Sequence, residues 1–183
     1  MAIAIVSASA LAGDMAKSGQ WGVQTSLGAA SSPVQSTGTI GLKFMAAENV
    51  AVRVEVGLSS NSAAGGGSST TGYAVGAGFE YHMTAVGGVS PYVGLQAGYA
   101  SGSVPAPAVG TAPPTPAAIA VTGVWGGEYF FSSNFSWGGE IGVGFASLSN
   151  QYTGLDAQGN PTYGSSSSIG TGSATLILTW YLN

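Results

Sequence analysis

The sequence predicts an all-β chain, an eight-stranded antiparallel up-and-down transmembrane β-barrel. Three observations predict it. Apolar residues recur with period two, not 3.6, from Gln20 onward. The connections between the alternating segments are short and long by turns. The second face of each segment carries mostly Gly, Ala, Ser, Thr and Gln, where a water-soluble sandwich would carry Lys, Glu, Asp and Arg. Such small residues suit the interior of a narrow barrel, and the apolar face then meets lipid, where charge is costly.

Composition excludes several other classes. Of 183 residues, Lys and Arg number 3 and Asp and Glu 7, a formal net charge of −4. Three basic residues are too few to track a phosphate backbone, so nucleic acid is not an expected partner. An apolar fraction of 45% is foreign to disordered chains. The 31 glycines keep no three-residue period, which removes collagen. Cys is absent, which removes disulfides, thiolate metal sites and an acylated lipoprotein Cys.

The elements follow in order. Strands are expected near 20–30, 38–46, 50–59, 72–82, 90–100, 117–130, 135–148 and 169–182. In the third, Val50, Val52, Val54, Val56 and Leu58 alternate with small or charged residues, so a strand places the two sets on opposite faces. Ile40, Leu42 and Phe44 repeat the pattern in the second strand, opposite Gly41 and Lys43. Tyr73, Val75, Ala77, Phe79 and Tyr81 form the apolar set of the fourth. Val93, Leu95, Ala97 and Tyr99 do so in the fifth, and Trp137, Ile141, Val143 and Phe145 in the seventh. Leu176, Leu178, Trp180 and Leu182 close the chain on one face. Short turns are expected at Ala47-Glu48-Asn49, around 83–89 and at 131–134. Long loops are expected at 31–37, 60–71, 101–116 and 149–168, all at one end of the meander. Pro105, Pro107, Pro113, Pro114 and Pro116 bar the third of these from sheet pairing.

Strands of this length match the roughly 9–11 residues that a tilted membrane strand needs, and closure leaves no unpaired backbone edge in hydrocarbon. Trp21, Phe44, Tyr81, Tyr129, Phe135, Trp137 and Trp180 fall toward the short-turn end on the apolar parity. Tyr73, Tyr99 and Phe145 fall toward the other end, so the aromatics group at two levels as interfacial girdles do. Residues 1–12 read as an export signal; no Lys or Arg precedes the apolar run, which leaves either a truncated start or a weak signal. Ala10-Leu11-Ala12 fits a cleavage site that leaves 13–183 as the barrel domain.

At this point the chain resembles the small outer-membrane β-barrels of Gram-negative bacteria. That group includes the transmembrane domain of outer membrane protein A, outer membrane protein X and the opacity-type surface proteins. The resemblance covers about residues 20–183. It rests on the architecture and on stretches such as Ser132-Ser133-Asn134-Phe135-Ser136-Trp137-Gly138-Gly139-Glu140, a turn leading into a Gly-rich strand with an inward Glu. It implies residence in the cell outer membrane, short periplasmic turns, long extracellular loops, and contact with outer-membrane lipid, lipopolysaccharide and the barrel-assembly machinery. Family members usually end on an aromatic residue. This chain ends Trp180-Tyr181-Leu182-Asn183, which departs from that pattern and leaves Leu178, Trp180 and Leu182 as the expected signal face.

Six of the ten charged residues take the inward parity: Lys43, Arg53, Glu55, Glu80, Glu128 and Glu140. Each lies within several residues of a short turn, so they are expected to cluster in one half of the lumen, with His82 close by. The sum is +2 and −4. A structural plug that fills the interior is one reading, since eight-stranded interiors are normally filled. A gate opened by breaking an ion pair is the other.

Enzyme chemistry is not expected. Lipid A deacylase barrels pair a His with a Ser two residues on; here Thr84 follows His82, and its parity points to the lumen or turn. One His and scattered carboxylates show no metal-ligand spacing, and no cofactor is implied. The expected function is a structural or surface-interaction role carried by the loops, which are uncharged apart from Asp156. Two alternatives stand beside it: a narrow pore for ions or small solutes, and a secreted self-assembling Gly-rich β protein.

Overall fold

A computed structural model of the chain describes residues 16–30, 38–61, 70–103 and 114–182. The export-signal segment and most of the first three long loops lie outside the described residues. Eight strands run β1 (Trp21–Ala30), β2 (Gly38–Ala47), β3 (Val50–Asn61), β4 (Thr70–His82), β5 (Val89–Gly102), β6 (Ala117–Ser132), β7 (Phe135–Leu155) and β8 (Pro161–Leu182). Each pairs antiparallel with its sequence neighbour, and β1 pairs with β8, so the sheet closes on itself in the order β1 to β8. There is no sheet edge in the barrel wall, as a membrane requires.

The alternation in the sequence becomes the two sides of this wall. Val52, Val54, Val56, Ile40, Leu42, Val75, Val93, Leu95, Ile141 and Val143 are exposed on the outside. Lys43, Arg53, Glu80, Glu128 and Glu140 are buried inside. A water-soluble protein inverts this arrangement; an apolar belt around a closed barrel is what lipid solvates. Inward glycines make room for large inward neighbours. A Cβ on Gly126 would stand 2.5 Å from the Tyr92 ring and 2.7 Å from the Gly139 carbonyl oxygen.

The outer wall carries the aromatics. At the short-turn end Trp21 packs on Phe44, Phe131 on Phe135 and Trp137, and Phe135 on Trp180. Trp21, Tyr81, Trp137 and Trp180 are exposed, and Tyr129 is half-buried. At the long-loop end Tyr73 and Tyr99 pair at 6.2 Å. Trp125 keeps neither level: it faces outward between Val93 and Ile141, four residues up β6 from Tyr129.

One expectation of the sequence is corrected. Residues 149–168 do not form a long loop. β7 runs to Leu155 and β8 starts at Pro161, so only 156–160 turn. The turn is self-contained: Asp156 Oδ1 accepts from the Gln158 and Asn160 amides at 2.9 and 2.7 Å, and Gly159 supplies a φ of +81°. The ribbon extends well past its neighbours, since β6 stops pairing with β7 at Ser149 and β1 stops pairing with β8 at Ser173. A strand outside lipid needs no apolar face, so the Ser, Thr and Gly composition that reads as loop is compatible with a ladder. Register shifts between Leu148 and Gln151 and between Tyr152 and Gly154 further hide its period.

Candidate functional site: a two-layer seal in the barrel lumen

Register brings the inward charges together. Lys43 on β2 faces Arg53 on β3, and β4 then presents Glu80, two residues toward the short-turn end from Arg53's partner Gly78. β6 and β7 contribute Glu128 and Glu140 from the far wall. Arg53 lies at the centre: its Nη1 donates to Glu80 at 2.9 Å and its Nη2 to both oxygens of Glu140 at 2.9 and 3.0 Å. Its Nε stands 3.4 Å from Glu55. The Lys43 ammonium bridges Glu80 at 2.6 Å and Glu128 at 2.8 Å, with the Tyr92 ring 5.7 Å away. Lys43 and Arg53 are 1% and 2% exposed, so these pairs are shielded from solvent, unlike the weak exposed kind.

His82 joins through Nε2, 3.0 Å from Glu80, and through Nδ1, 2.9 Å from the Ser90 hydroxyl. A carboxylate only accepts, so Nε2 carries the proton, and in the neutral ring Nδ1 accepts from Ser90. Glu80, His82 and Glu128 present atoms within 4.8 Å of one another, a spacing that would suit a metal ion. The Lys43 ammonium already bonds two of the three, and so stands where such a cation would.

Several members of this layer carry no charge and were not anticipated from the sequence. Tyr92 and Gln96 donate to Glu140 at 3.1 and 3.0 Å. Tyr181 and Ser136 donate to Glu128 at 2.8 and 2.5 Å. All four have the inward parity, which is the signal that would have found them. Glu55 stands apart from the others: its side chain is 22% exposed, and Thr39 donates to it at 2.9 Å.

Beneath this ionic layer, toward the short turns, lies a second one that the sequence did not announce. Met45, Ala51, Phe130 and Tyr181 form an apolar cluster with Ala16. The Phe130 and Tyr181 rings stack at 5.8 Å. Ala16 arrives on the segment before β1, which is strapped across the barrel end. Gly19 N donates to the Met45 carbonyl at 2.7 Å, Met45 N donates back to Gln20 at 2.9 Å, and the Gln20 amide reaches the Ser133 carbonyl at 3.4 Å. Above the ionic layer, toward the long-loop end, a cavity of about 80 Å³ opens among Ser26, Thr39, Glu55, Gln96, Thr122 and Thr175. Higher still is a wide vestibule with Ser59, Thr71, Ser101, Ser103 and Gln151 on its wall.

With this geometry in view, the chain was compared with known proteins. No protein-family model matches it, and no curated protein matches it either. Solved structures do. The N-terminal β-barrel domain of OprF from Pseudomonas aeruginosa superposes with a TM-score of 0.52 at 11% identity, over 90% of this chain and 98% of that one. The outer membrane protein AlkL, solved in DMPC lipid bilayers, gives 0.52 at 13% identity, over 90% and 89%. At such identities the likeness is one of fold. The closed eight-stranded wall with its apolar outer belt is thus the fold that these small outer-membrane barrels have.

Proposed function

We propose that the chain is a closed outer-membrane barrel whose work is done at its outer surface, by the long loops and the β7–β8 ribbon. The observation that carries this reading is the double closure of the lumen. An ion pair network fills the cross-section, and an apolar layer with Ala16 underlies it. A barrel filled this way anchors what it carries. The ribbon is the most prominent thing it carries, with Tyr152 and Tyr163 side by side at 6.3 Å near its tip. Asp156 is the one charged residue of the ribbon. Partners that grip through dense charge therefore fit poorly. Outer-membrane lipid and lipopolysaccharide surround the wall in this reading, and the barrel-assembly machinery inserts it.

Planar-bilayer recording tests the reading. The purified barrel is expected to give no resolvable steps in 1 M salt. Regular steps in the unmodified protein would overturn it in favour of a narrow pore. The observation on the side of a pore is the oxygen-lined cavity above the plug.

A further inference from the structure

We propose that the lumen holds a binding site for a monovalent alkali cation between Gln24 and Glu55. The first argument is charge. The inward groups sum to +2 from Lys43 and Arg53 against −4 from Glu55, Glu80, Glu128 and Glu140. Both cations are committed to carboxylates by short contacts. Uncompensated charge inside a low-dielectric wall is expensive, so a further cation is stabilised wherever the cluster can be reached. The apolar layer covers the short-turn side. The approach is from the cavity at the long-loop side, and the partly exposed Glu55 is the carboxylate that meets it.

The second argument is independent of charge. Gln24 is 3% exposed, and its Oε1 is the one buried side-chain polar atom without a hydrogen-bond partner among the described residues. An amide oxygen buried without a donor is costly, because it has given up its bond to water. Register gives its neighbours around the wall, Thr179 on the β8 side and Glu55 beyond Gly41 on the other. Gln24 pairs with Gly41, and Gly41 pairs with Glu55, so the two side chains flank a position that has none. Glu55 leans over that gap: a Cβ on Gly41 would stand 3.0 Å from Glu55 Cγ. The roof is the hydroxyl pair Ser26 and Thr39, which bond each other while Thr39 donates to Glu55. Ser26 must then donate to Thr39, which leaves Ser26 lone pairs free. The gap thus offers oxygen acceptors: the Glu55 carboxylate, the unpartnered Gln24 Oε1 and the Ser26 hydroxyl oxygen. Hard cations take oxygen ligands, and a single carboxylate among neutral oxygens suits one positive charge better than two. Binding would bring the formal sum from −2 to −1.

The test uses the folded protein in detergent, with sodium as the probe. The ²³Na resonance is expected to broaden in its presence and to sharpen again as K⁺ is added. The temperature at which the folded gel mobility is lost should rise with NaCl and saturate. It should not rise in N-methylglucamine chloride at equal ionic strength, since that cation is too large to enter. Glu55→Gln should abolish both effects. Gln24→Leu, which removes the acceptor at similar volume, should weaken both while keeping the folded mobility. Equal behaviour in the two salts would overturn the proposal and leave water in the gap. An infrared band of a neutral carboxylic acid that Glu55→Gln removes would also overturn it, since a proton would then balance the charge.

Discussion

Arg53 bonds Glu80 and Glu140 and stands beside Glu55, so its removal strands several buried carboxylates at once. Arg53→Ala would leave Glu80 and Glu140 without their guanidinium. Breaking one side of a buried pair costs about 3–5 kcal/mol, because the stranded charge stays buried. The expected outcome is a large drop in the denaturant midpoint for loss of the folded gel mobility. Glu140→Gln, which keeps the shape and removes one of the two surplus negative charges, should cost clearly less. Gly126 makes a complementary prediction. Its missing Cβ is where the Tyr92 ring lies, so Gly126→Ala must push Tyr92 off Glu140 or bend the wall against the Gly139 carbonyl. Overpacking of this kind costs about 1–3 kcal/mol. Tyr92→Phe removes only the hydroxyl's bond and should cost less than Gly126→Ala in the same unfolding experiment. Placing the charges inside takes nothing more than parity, so Lys43, Arg53 and the four glutamates were legible in the sequence. Their partners were not. Tyr92, Gln96, Ser136 and Tyr181 share that parity but look like any strand residue until the register sets them beside a carboxylate.

At the scale of elements, the barrel strands and the ribbon differ in how far pattern reveals them. β2 to β5 alternate aliphatic with small residues because one face meets lipid, and that contrast marks their bounds to within a few residues. Past Ser149 β7 has only β8 beside it, the contrast vanishes, and Ser166 to Ser168 read as loop although they pair with β7. The apolar layer at the short-turn end was hidden for another reason. It is built from Met45, Ala51 and Phe130 on inward parity and from Ala16 before the first strand, and only closure brings β2, β3, β6 and β8 to one place. The ribbon's turn carries its own prediction. The Asn160 backbone amide, the Asn160 side chain and the Gln158 amide all donate to Asp156 and hold its carboxyl below the ordinary aspartate range. A depressed value means that the ionised form favours the turn. Its contribution is complete at neutral pH and is lost as pH falls through that lowered value. The amide shifts of Gln158 and Asn160 should therefore titrate with a midpoint below that of a free aspartate. Asp156→Ala should abolish that titration and leave the barrel's unfolding midpoint unchanged, because the turn stands clear of the wall.

For the whole molecule, the proposed closure raises the question of which layer would keep the lumen shut. A gate made of ion pairs alone would open when Arg53 is removed. Here the ionic layer rests on Met45, Ala51, Phe130 and Tyr181, and the strap carrying Ala16 closes the end below them. An apolar constriction excludes ions by itself, since an ion that enters must shed water with nothing to replace it. The two layers thus act in series, and opening either one leaves the other in place. Arg53→Ala should remain silent in planar-bilayer recordings despite its lost stability. Met45→Ala with Phe130→Ala should also remain silent, with Arg53, Glu80 and Glu140 still bonded across the lumen above. Each of these truncations costs about 2–5 kcal/mol, so the folded mobility must be checked before recording. Only the triple variant is expected to conduct. Its steps should favour cations, because Glu55, Glu80, Glu128 and Glu140 then face the path with Lys43 as their one counter-charge. Conductance in Arg53→Ala alone would show that the apolar layer does not seal, and the series arrangement would be refuted.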